Sequence, residues 1–508
     1  MFDIVIIGAG SAGSAIAARA SEDPNRTVLL IEAGPDYSDL ARTPFDLVNS
    51  HNNSYRDHDW GFKHNPTRGR EVIFPRGRVT GGSSAVNTTI ALRGMPEDYD
   101  EWASQGNSEW AWQRVLPAFR RLERDLDFGE RSYHGDAGPI SIRRYPESEM
   151  QPQQQAFLDA ARGLGYPDCA DANEPWGWGS GPHPMNKLGR LRVSCAVGYL
   201  APARVRPNLT IRPQTFVNRL LITNGVCVGV EVQNVDGVIE TITGRLNVLS
   251  AGAIMSPAIL MRSGIGPRAQ LESLSIPVAV DVPGVGQNLS DHPALSVSCL
   301  AKDPSIVDFD APIIQTILRY TAAGSTQRND LQIEMLTFNG RRNGEPTFGI
   351  AAVLEHQYGR GELRLQSADP TVAPQIDNRF CEDDRDTNRL VNCYKDTLAF
   401  VRASPIADMI AGVTFPRGGP LTDDDIAGLC RKFAGSGYHP CGTVKMGPSA
   451  DAMAVVNQYG QCHSVEQLVV ADASIMPGVP RANTNLTCIM IGEMVGEWLR
   501  TRPAMYGL

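Results

Sequence analysis

The chain has 508 residues, of which 42% are hydrophobic and 20% charged, a composition typical of globular proteins with two or three domains. A formal net charge of −9 argues against nucleic-acid binding as the main function, and no uncharged apolar run approaches the roughly 20 residues of a membrane helix. Ten cysteines without a CxxC pair and nine histidines without a ligand spacing such as HExxH predict reduced thiols and no metal site.

The first 34 residues have the order of a dinucleotide-binding unit. A short apolar strand over residues 2–7 leads into a Gly-Ala-Gly-Ser-Ala-Gly turn, a helix of small residues, and a second buried strand that ends on Glu32. Gly10 lets a pyrophosphate approach the backbone, and the N-terminus of the helix favours an anion. Glu32 is placed to bind a ribose diol. The motif predicts NAD or FAD without choosing between them, and its start at residue 3 predicts a cytoplasmic protein without a signal peptide.

The next part of the chain alternates loops with strands. A glycine- and serine-rich loop at 75–88 offers backbone donors for a phosphate or a polar ring edge, with a plain surface loop as the alternative. Alternating residues at 207–217 and 225–232 predict antiparallel strands. The buried strand at 246–253 leads into a helix predicted to start with Ser256-Pro257.

A change of composition sets apart the region from about residue 293 to 436, where glycine-rich loops become rare. Its predicted strands and helices lie at 331–336, 350–355, 390–402 and 423–433. We therefore expect a second domain there. The last segment contains Tyr438-His439, a strand ending at Asp472, and a final helix predicted from Cys488 to Leu499.

Taken together, these motifs resemble the glucose–methanol–choline (GMC) family of FAD-dependent alcohol oxidoreductases over nearly the whole chain. The resemblance is carried by the glycine turn with Glu32, Gly81 to Asn87, Gly252 to Pro267, Pro283 to Leu289, His439-Pro440, and Asn483 to Asn485. Within the family, the sequence looks most like the group of bacterial 5-hydroxymethylfurfural oxidase and aryl-alcohol oxidase, with choline oxidase further off.

The resemblance implies a mixed α/β protein with two domains. A Rossmann-like FAD-binding domain would be formed by residues 1–135, 190–292 and 437–508. An antiparallel-sheet domain that binds the substrate would be formed by residues 136–189 and 293–436.

It also implies which residues contact FAD. They are Gly8, Gly10, Ser11, Ala12, Gly13, Glu32, Ala33, Val79, Gly82, Asn87, Thr88, Val217, Tyr438, Asp472, Ala473 and Thr484. Val217 would touch the adenine through its backbone, and Asp472 would lie near the ribityl-pyrophosphate. Some family members bind FAD covalently through a histidine of the glycine–serine loop. Val86 stands at that position and has no nucleophilic atom, so we expect a dissociable FAD.

His439 is the predicted catalytic base, because the motif match outweighs the usual interpretation of a single histidine as a core or loop residue. Its imidazole would accept the hydroxyl proton of the substrate as hydride leaves the carbinol carbon for flavin N5. Asn485 is predicted to hydrogen-bond the same oxygen, with a helix N-cap as the alternative. In many relatives this second position is histidine, and asparagine does not act as a base, so His439 would carry that role alone.

The predicted reaction is oxidation of a primary alcohol (aryl, furanic or sugar-like) to an aldehyde, with O2 as the electron acceptor and hydrogen peroxide as product. One alternative is a dehydrogenase that uses another acceptor and a cationic alcohol, and a second is a flavin lyase without net redox chemistry. Glu334 and Glu355 would attract an amine or quaternary ammonium group if either faced the flavin, although a solvated or strand-edge position is the alternative. Tyr438 is placed to wall the pocket and to favour a flat or cyclic substrate.

Overall fold

The computed structural model describes all 508 residues. Its strands are β1 Phe2–Ile7, β2 Val28–Ile31, β3 Lys63–Thr67, β4 Arg70–Ile73, β5 Glu123–Asp125, β6 Ile140–Ile142, β7 Gly179–Pro182, β8 Lys187–Leu188, β9 Leu191–Arg192, β10 Leu209–Arg212, β11 Thr215–Thr223, β12 Val226–Asn234, β13 Ile239–Leu249, β14 Ile265–Gly266, β15 Val280–Asp281, β16 Pro293–Ala301, β17 Thr316–Tyr320, β18 Leu331–Leu336, β19 Arg341–Arg342, β20 Glu345–Leu354, β21 Glu362–Arg364, β22 Gln375–Asp377, β23 Ile410–Phe415, β24 Gly435–Ser436 and β25 Leu468–Val470. Its α-helices are α1 Ser11–Ala20, α2 Phe45–Val48, α3 Pro96–Ser104, α4 Trp112–Leu122, α5 Pro152–Gly163, α6 Ala201–Ala203, α7 Gly252–Arg262, α8 Arg268–Ser273, α9 Asp384–Arg402, α10 Asp423–Phe433 and α11 Thr484–Thr501.

The first large sheet is built on the predicted βαβ unit. Strands β10, β2, β1, β13 and β25 run parallel in that order, and α1 packs against α11 beside them. All four residues from Ile4 to Ile7 are buried, as expected for a strand covered on both faces. The larger hydrophobic core of the protein surrounds this sheet.

Strand β13 joins the parallel sheet to an antiparallel ribbon. Up to Thr243 it pairs antiparallel with β12, and from Gly244 onwards it pairs parallel with β1. Strand β11 completes the ribbon on the other side of β12. The antiparallel pairing predicted around residues 217 and 230 is therefore confirmed, whereas the prediction is wrong for the first part of the segment, β10, because it pairs parallel with β2.

The second large sheet has eight antiparallel strands, with β23, β16, β20, β18, β17 and β7 as its main order. One face packs on α5 and α9 and forms a separate core, which receives Leu331, Ile333 and Met335 of β18. Because side chains alternate along a strand, Gln332 and Glu334 point to the opposite face. This opposite face borders the main cavity of the protein.

The two cores do not coincide with the predicted segments at every residue. Ile140 and Ile142 of β6 pack in the larger core, as do Leu363 of β21 and Ile376 of β22. Strand β22 also pairs with β3 near the N-terminus. The boundaries of the two predicted domains stay a prediction.

Helix α7 begins earlier than the sequence predicted. It starts at Gly252 instead of Ser256, so Pro257 lies inside the helix and not in its first turn. Pro257 has no N–H to donate to the Ala253 carbonyl one turn earlier. The Thr443 hydroxyl donates to that carbonyl at 2.6 Å, which satisfies the group that the proline leaves without a partner.

Helix α11 also starts earlier than predicted, at Thr484 and not at Cys488. Asn485 consequently lies in the first turn, and the alternative interpretation of Asn485 as the N-cap is wrong. The N-cap is Asn483, whose side chain makes no capping hydrogen bond. None of the helices, α11 included, combines the length and the hydrophobicity that crossing a membrane requires.

Candidate active site

A cavity of about 940 Å³ lies where the two large sheets face each other. All but two of the predicted site residues line it, namely Gly8, Gly10, Ser11, Ala12, Glu32, Ala33, Gly82, Asn87, Thr88, Val217, Tyr438, His439, Asp472, Ala473, Thr484 and Asn485. Gly13 and Val79 lie outside its wall. Val86 lines the cavity as well.

The glycine turn forms one end of this cavity. A Cβ atom on Gly13 would lie 1.9 Å from the Gly8 carbonyl oxygen, so only glycine allows α1 to pack this closely. A Cβ on Gly10 would meet nothing within 4 Å, which leaves room in front of the turn. Gly10 is also the N-cap of α1, and no side chain caps the helix. The first N–H groups of α1 are therefore available to an anion such as a pyrophosphate.

Glu32 follows β2 and is held by two backbone amides. The Ala9 N–H donates to Oε2 at 3.0 Å, and the Gly34 N–H donates to Oε1 at 2.8 Å. Burial raises the pKa of the carboxyl to about 7, although both amides favour its charged form. Since a carboxylate offers about four acceptor sites, Glu32 retains capacity for the hydroxyls of a ribose.

Asp472 is more fully occupied by the protein itself. Its Oδ2 atom accepts hydrogen bonds from the Gly252 N–H and the Ser256 hydroxyl, and its Oδ1 atom accepts one from the Ser474 N–H. The carboxylate thus fixes the start of α7 at the wall of the cavity. A contact between Asp472 and a cofactor stays a prediction.

His439 lies at the other end, in a chain of hydrogen bonds that fixes its protons. Its Nδ1 atom is 2.9 Å from Nδ1 of His292, and Nε2 of His292 is 3.0 Å from the Pro480 carbonyl oxygen. A carbonyl only accepts, so Nε2 of His292 carries the hydrogen and its Nδ1 accepts. His439 then donates from Nδ1 and keeps a lone pair on Nε2.

Both imidazoles are held in their neutral form. Burial lowers the pKa of His292 to about 4. Burial also lowers the pKa of His439 well below its usual range, helped by His292 and by the charge of Arg76. The lone pair on Nε2 of His439 accepts a hydrogen bond from the Asn483 amide, whose Nδ2 atom lies at 3.0 Å. The arrangement offers an unprotonated base beside a hydrogen-bond donor.

Asp291 positions the two histidines through their backbones. Its Oδ1 atom accepts hydrogen bonds from the His292 N–H at 2.7 Å and from the His439 N–H at 2.8 Å. The Ser436 hydroxyl donates to Oδ2 at 2.5 Å. This carboxylate joins the end of the loop at 283–292 to the segment that carries the base.

Asn483 and Asn485 both line the cavity, and they differ in their contacts. Asn483 is the one beside His439, and its Oδ1 atom is buried without a partner. Asn485 instead accepts a hydrogen bond from the Ser11 hydroxyl at 2.8 Å, and its Nδ2 atom is unpartnered. Sequence reasoning missed Asn483, because the Asn-Thr-Asn motif does not tell which amide reaches the base. The two residues differ in their position on α11, because Asn483 is its N-cap and Asn485 lies in its first turn.

The substrate end of the cavity is lined by the sheet face described above. Glu334 and Glu355 both line it, which answers a question that the sequence left open. Tyr438 lines it from the opposite side and is 41% exposed, with a φ of 66° that is rare for a tyrosine. The Arg76 guanidinium donates to the Tyr438 carbonyl at 2.9 Å and supports this conformation.

The cavity has a dinucleotide-binding turn at one end and a neutral, partly buried histidine at the other. This combination defines the protein as a flavin- or nicotinamide-dependent oxidoreductase. The family model described as GMC oxidoreductase matches residues 2–294 in its N-terminal part and 357–492 in its C-terminal part. The chain belongs to the GMC oxidoreductase family, whose members bind FAD and act on alcohols. The predictions of the family, of FAD and of the fold are confirmed.

Similar proteins include oxidases and dehydrogenases. The chain is 34% identical to 5-(hydroxymethyl)furfural oxidase of Methylovorus sp. (strain MP688), with 99% of each chain covered. It is 33% identical to the oxygen-dependent choline dehydrogenase of Photobacterium profundum, covering 98% of this chain and 92% of the relative. Among solved structures, pyridoxine 4-oxidase from Mesorbium loti superposes with a TM-score of 0.91 at 28% identity, over 98% of this chain and 99% of that one.

Proposed function

We propose that the protein oxidises a primary alcohol, of aryl, furanic or sugar-like type, to the aldehyde and that O2 is its electron acceptor. The observation that carries this proposal is the lone pair of His439 Nε2, which lies beside the Asn483 amide at the cavity wall. Bound FAD, without a covalent link, supplies the acceptor for the hydride of the carbinol carbon. The glycine turn and Glu32 hold its pyrophosphate and ribose at the other end.

His439 and Asn483 have different roles at the hydroxyl group of the substrate. Nε2 of His439 accepts the hydroxyl proton, which makes the carbinol carbon a better hydride donor. When the alcohol enters between the two side chains, Nδ2 of Asn483 donates to the alcohol oxygen instead of to Nε2 of His439 and stabilises the developing negative charge. We therefore give Asn483 the role that the sequence analysis gave to Asn485. Asn485, held by Ser11, then orients groups nearer to the pyrophosphate end.

Three relatives support an alcohol as the substrate. Their names describe oxidation of hydroxymethylfurfural, of choline and of pyridoxine, and each of these compounds carries a primary alcohol. Two of the three are named as oxidases, and the third is named as oxygen-dependent, which supports O2 as the acceptor.

The first experiment is anaerobic mixing of the FAD-loaded protein with aryl, furanic, sugar-like and amino-bearing alcohols, followed by admission of air. We expect one class to bleach the flavin absorbance quickly, and we expect air to restore it with formation of hydrogen peroxide. Bleaching with slow recovery in air would show a dehydrogenase that needs another acceptor. No bleaching by any alcohol would contradict the proposal and favour chemistry without net oxidation.

The assignment of the two asparagines has its own test. Asn483→Ala should slow flavin reduction by roughly 10²-fold, because one donor to the reacting oxygen is lost. Asn485→Ala is the matched comparison and should change flavin reduction far less. The reverse order of effects would return the role to Asn485.

A further inference from the structure

Four buried polar side chains gather on the cavity-facing side of the eight-stranded sheet. Gln332 and Glu334 come from β18, Glu355 directly follows β20, and His183 directly follows β7. His183 is 0% exposed, Glu355 1%, Gln332 3% and Glu334 9%. The last three line the cavity. We call these four residues the Glu334–Glu355 cluster.

The cluster leaves several polar atoms without partners. Gln332 donates from Nε2 to Oε1 of Glu334 at 2.7 Å, but its own Oε1 atom has no donor. The Oε2 atom of Glu355 has none either, because Nε2 of His292, 3.7 Å away, gives its hydrogen to Pro480. Buried polar atoms are normally paired, so these acceptors at a cavity wall indicate a ligand that donates hydrogen bonds.

The cluster is also short of positive charge. The only basic nitrogens within 4.0 Å of Glu334 and Glu355 belong to histidines: Nε2 of His183 lies 3.2 Å from Oε1 of Glu334, and Nε2 of His292 lies 3.7 Å from Oε2 of Glu355. No lysine or arginine nitrogen lies that close. The two guanidiniums in this part of the interior are committed elsewhere: Arg319 donates to backbone carbonyls, and Arg481 pairs with Asp98 at 2.7 Å. Burial, opposed by the charge of Arg319 and assisted by that of Glu334, raises the pKa of the Glu355 carboxyl to about 8.

Other buried carboxylates of the protein are held by arginine or by several hydrogen bonds. Glu123 pairs with Arg93, and Glu493 pairs with both Arg19 and Arg121. Glu32, Asp291 and Asp472 have no arginine partner, but each accepts hydrogen bonds from at least two N–H or O–H groups. Glu334 accepts one, from Gln332, and Oε2 of Glu355 accepts none. Burying carboxylates with so few donors is costly, so the two at the substrate cavity call for a cation that comes with the substrate.

We propose that the Glu334–Glu355 cluster binds a cationic nitrogen of the substrate, which makes the preferred substrate an alcohol with a protonated amine or a protonated ring nitrogen. This inference rests on the proposed function, since it assumes that the hydroxyl group of the same molecule lies at His439. The N–H groups of the cation donate to Oε2 of Glu355 and Oε1 of Gln332, and Glu334 supplies the second negative charge. When the cation binds, Glu355 loses its proton to the solvent, and the two carboxylates then form an ion pair with the cation.

The test compares two alcohols of the same size and shape. At pH 7, 4-(aminomethyl)benzyl alcohol carries an ammonium group where 4-ethylbenzyl alcohol carries a methyl group. Anaerobic flavin reduction at increasing concentrations gives a dissociation constant for each. We expect the ammonium compound to bind at least about tenfold more tightly, and Glu334→Gln and Glu355→Gln each to reduce this preference at least about fivefold. The preference is a ratio within one variant, so a general loss of activity does not affect it.

Glu345→Gln is the matched control, because Glu345 lies on the exposed end of the same β20 strand and should leave the ratio unchanged. The proposal is overturned if the wild type prefers the ammonium compound less than tenfold. It is also overturned if this preference stays within twofold of the wild-type value in both the Glu334→Gln and the Glu355→Gln variants. Tighter binding of 1,4-benzenedimethanol than of the ammonium compound also overturns it, since the cluster would then bind hydroxyl groups.

A second measurement separates this inference from the proposed function. 4-Methylbenzylamine has the cation but no hydroxyl group, and its binding is followed through the absorbance of bound FAD. We expect it to bind the wild type and to bind both cluster variants at least about fivefold more weakly. If this holds while no alcohol reduces the flavin, the cation subsite stands and the proposed reaction fails. Equal binding to wild type and both variants overturns the subsite, whatever the alcohols do.

Discussion

Two histidines of this protein, the partly buried His439 and the fully buried His134, differ in charge because their partners differ. His439 meets the ring of His292 and the amide of Asn483, and it stays neutral. His134 lies between two carboxylates, with Nδ1 2.7 Å from Glu123 and Nε2 2.9 Å from Asp171. Both acceptors need a hydrogen, so both ring nitrogens of His134 are protonated and the ring is a cation.

The comparison shows that burial alone does not decide the charge of an imidazole. Burial lowers the pKa of both histidines, but hydrogen bonds to Asp171 and Glu123 outweigh it at His134 and raise that pKa. Glu123, Asp125 and His134 lie close enough to resemble a metal site. Arg93 and Arg144 contact the same carboxylates and supply the positive charge that a metal would bring. One histidine is thus arranged to accept a proton and the other to hold one.

The largest effect should come from the neutral histidine. His439→Ala removes the acceptor of the hydroxyl proton, so we expect flavin reduction by the preferred alcohol to slow by roughly 10² to 10⁴-fold. The glycine turn and Glu32 are untouched, and FAD should stay bound. Stopped-flow absorbance under anaerobic conditions measures the rate. His463→Ala, at an exposed histidine, is the control and should leave the rate unchanged. A near-normal rate of flavin reduction in the His439→Ala variant would show that His439 is not the base.

Substitution of the charged histidine, His134, should lower the free energy of unfolding and not the rate of flavin reduction. His134→Asn leaves Glu123 and Asp171 short of a buried cation, which costs about 3–5 kcal/mol. Because the pKa of His134 is raised in the folded protein, its contribution is fully present below the unfolded value of about 6.5 and is lost as pH rises through the folded pKa. The difference in melting temperature between wild type and variant should therefore shrink from pH 6 to pH 9.

His64 provides the matched comparison for this pH dependence. It is buried against Asn378, and burial lowers its pKa to about 4. The contribution of a histidine kept neutral is absent at acid pH and grows as pH rises from about 4 to 6.5. The melting difference for His64→Asn should thus widen over that range. The same trend in both variants would contradict the assignment of a neutral ring to His64 and a charged ring to His134.

The sequence alone predicted the elements that have local signals, and it missed the contacts between distant segments. The glycine turn, β18 and α10 have strong periodicity or caps, and they lie where the pattern placed them. The partner of His439 is His292, which lies 147 residues earlier in the chain. No local pattern reports such a pairing. The early start of α7 depends in the same way on Thr443, a residue far beyond the helix.

A smaller effect is expected when His292 is changed, because this residue positions the base and does not touch the substrate. His292→Ala leaves Nδ1 of His439 without its acceptor, so the ring can turn or carry its proton on Nε2. We expect flavin reduction to slow by roughly 10 to 10³-fold. His292→Asn offers an amide oxygen to Nδ1 and should recover most of the rate. If the alanine and asparagine variants are equally slow, the loss is one of packing and not of proton placement.

The smallest expected effect is the response of the wild type to pH between 7 and 9. Hydride transfer needs His439 unprotonated, so the limiting rate of flavin reduction is lost only as pH falls through the pKa of its imidazole. Since burial holds that pKa well below 6.5, the rate should change by less than about twofold from pH 9 to pH 7. In His292→Ala, water can reach the ring and the neighbouring imidazole is gone, so the fall should begin at a higher pH. A wild-type rate that already falls between pH 8 and pH 7 would mean that His439 is charged like His134, and the contrast between the two sites would disappear.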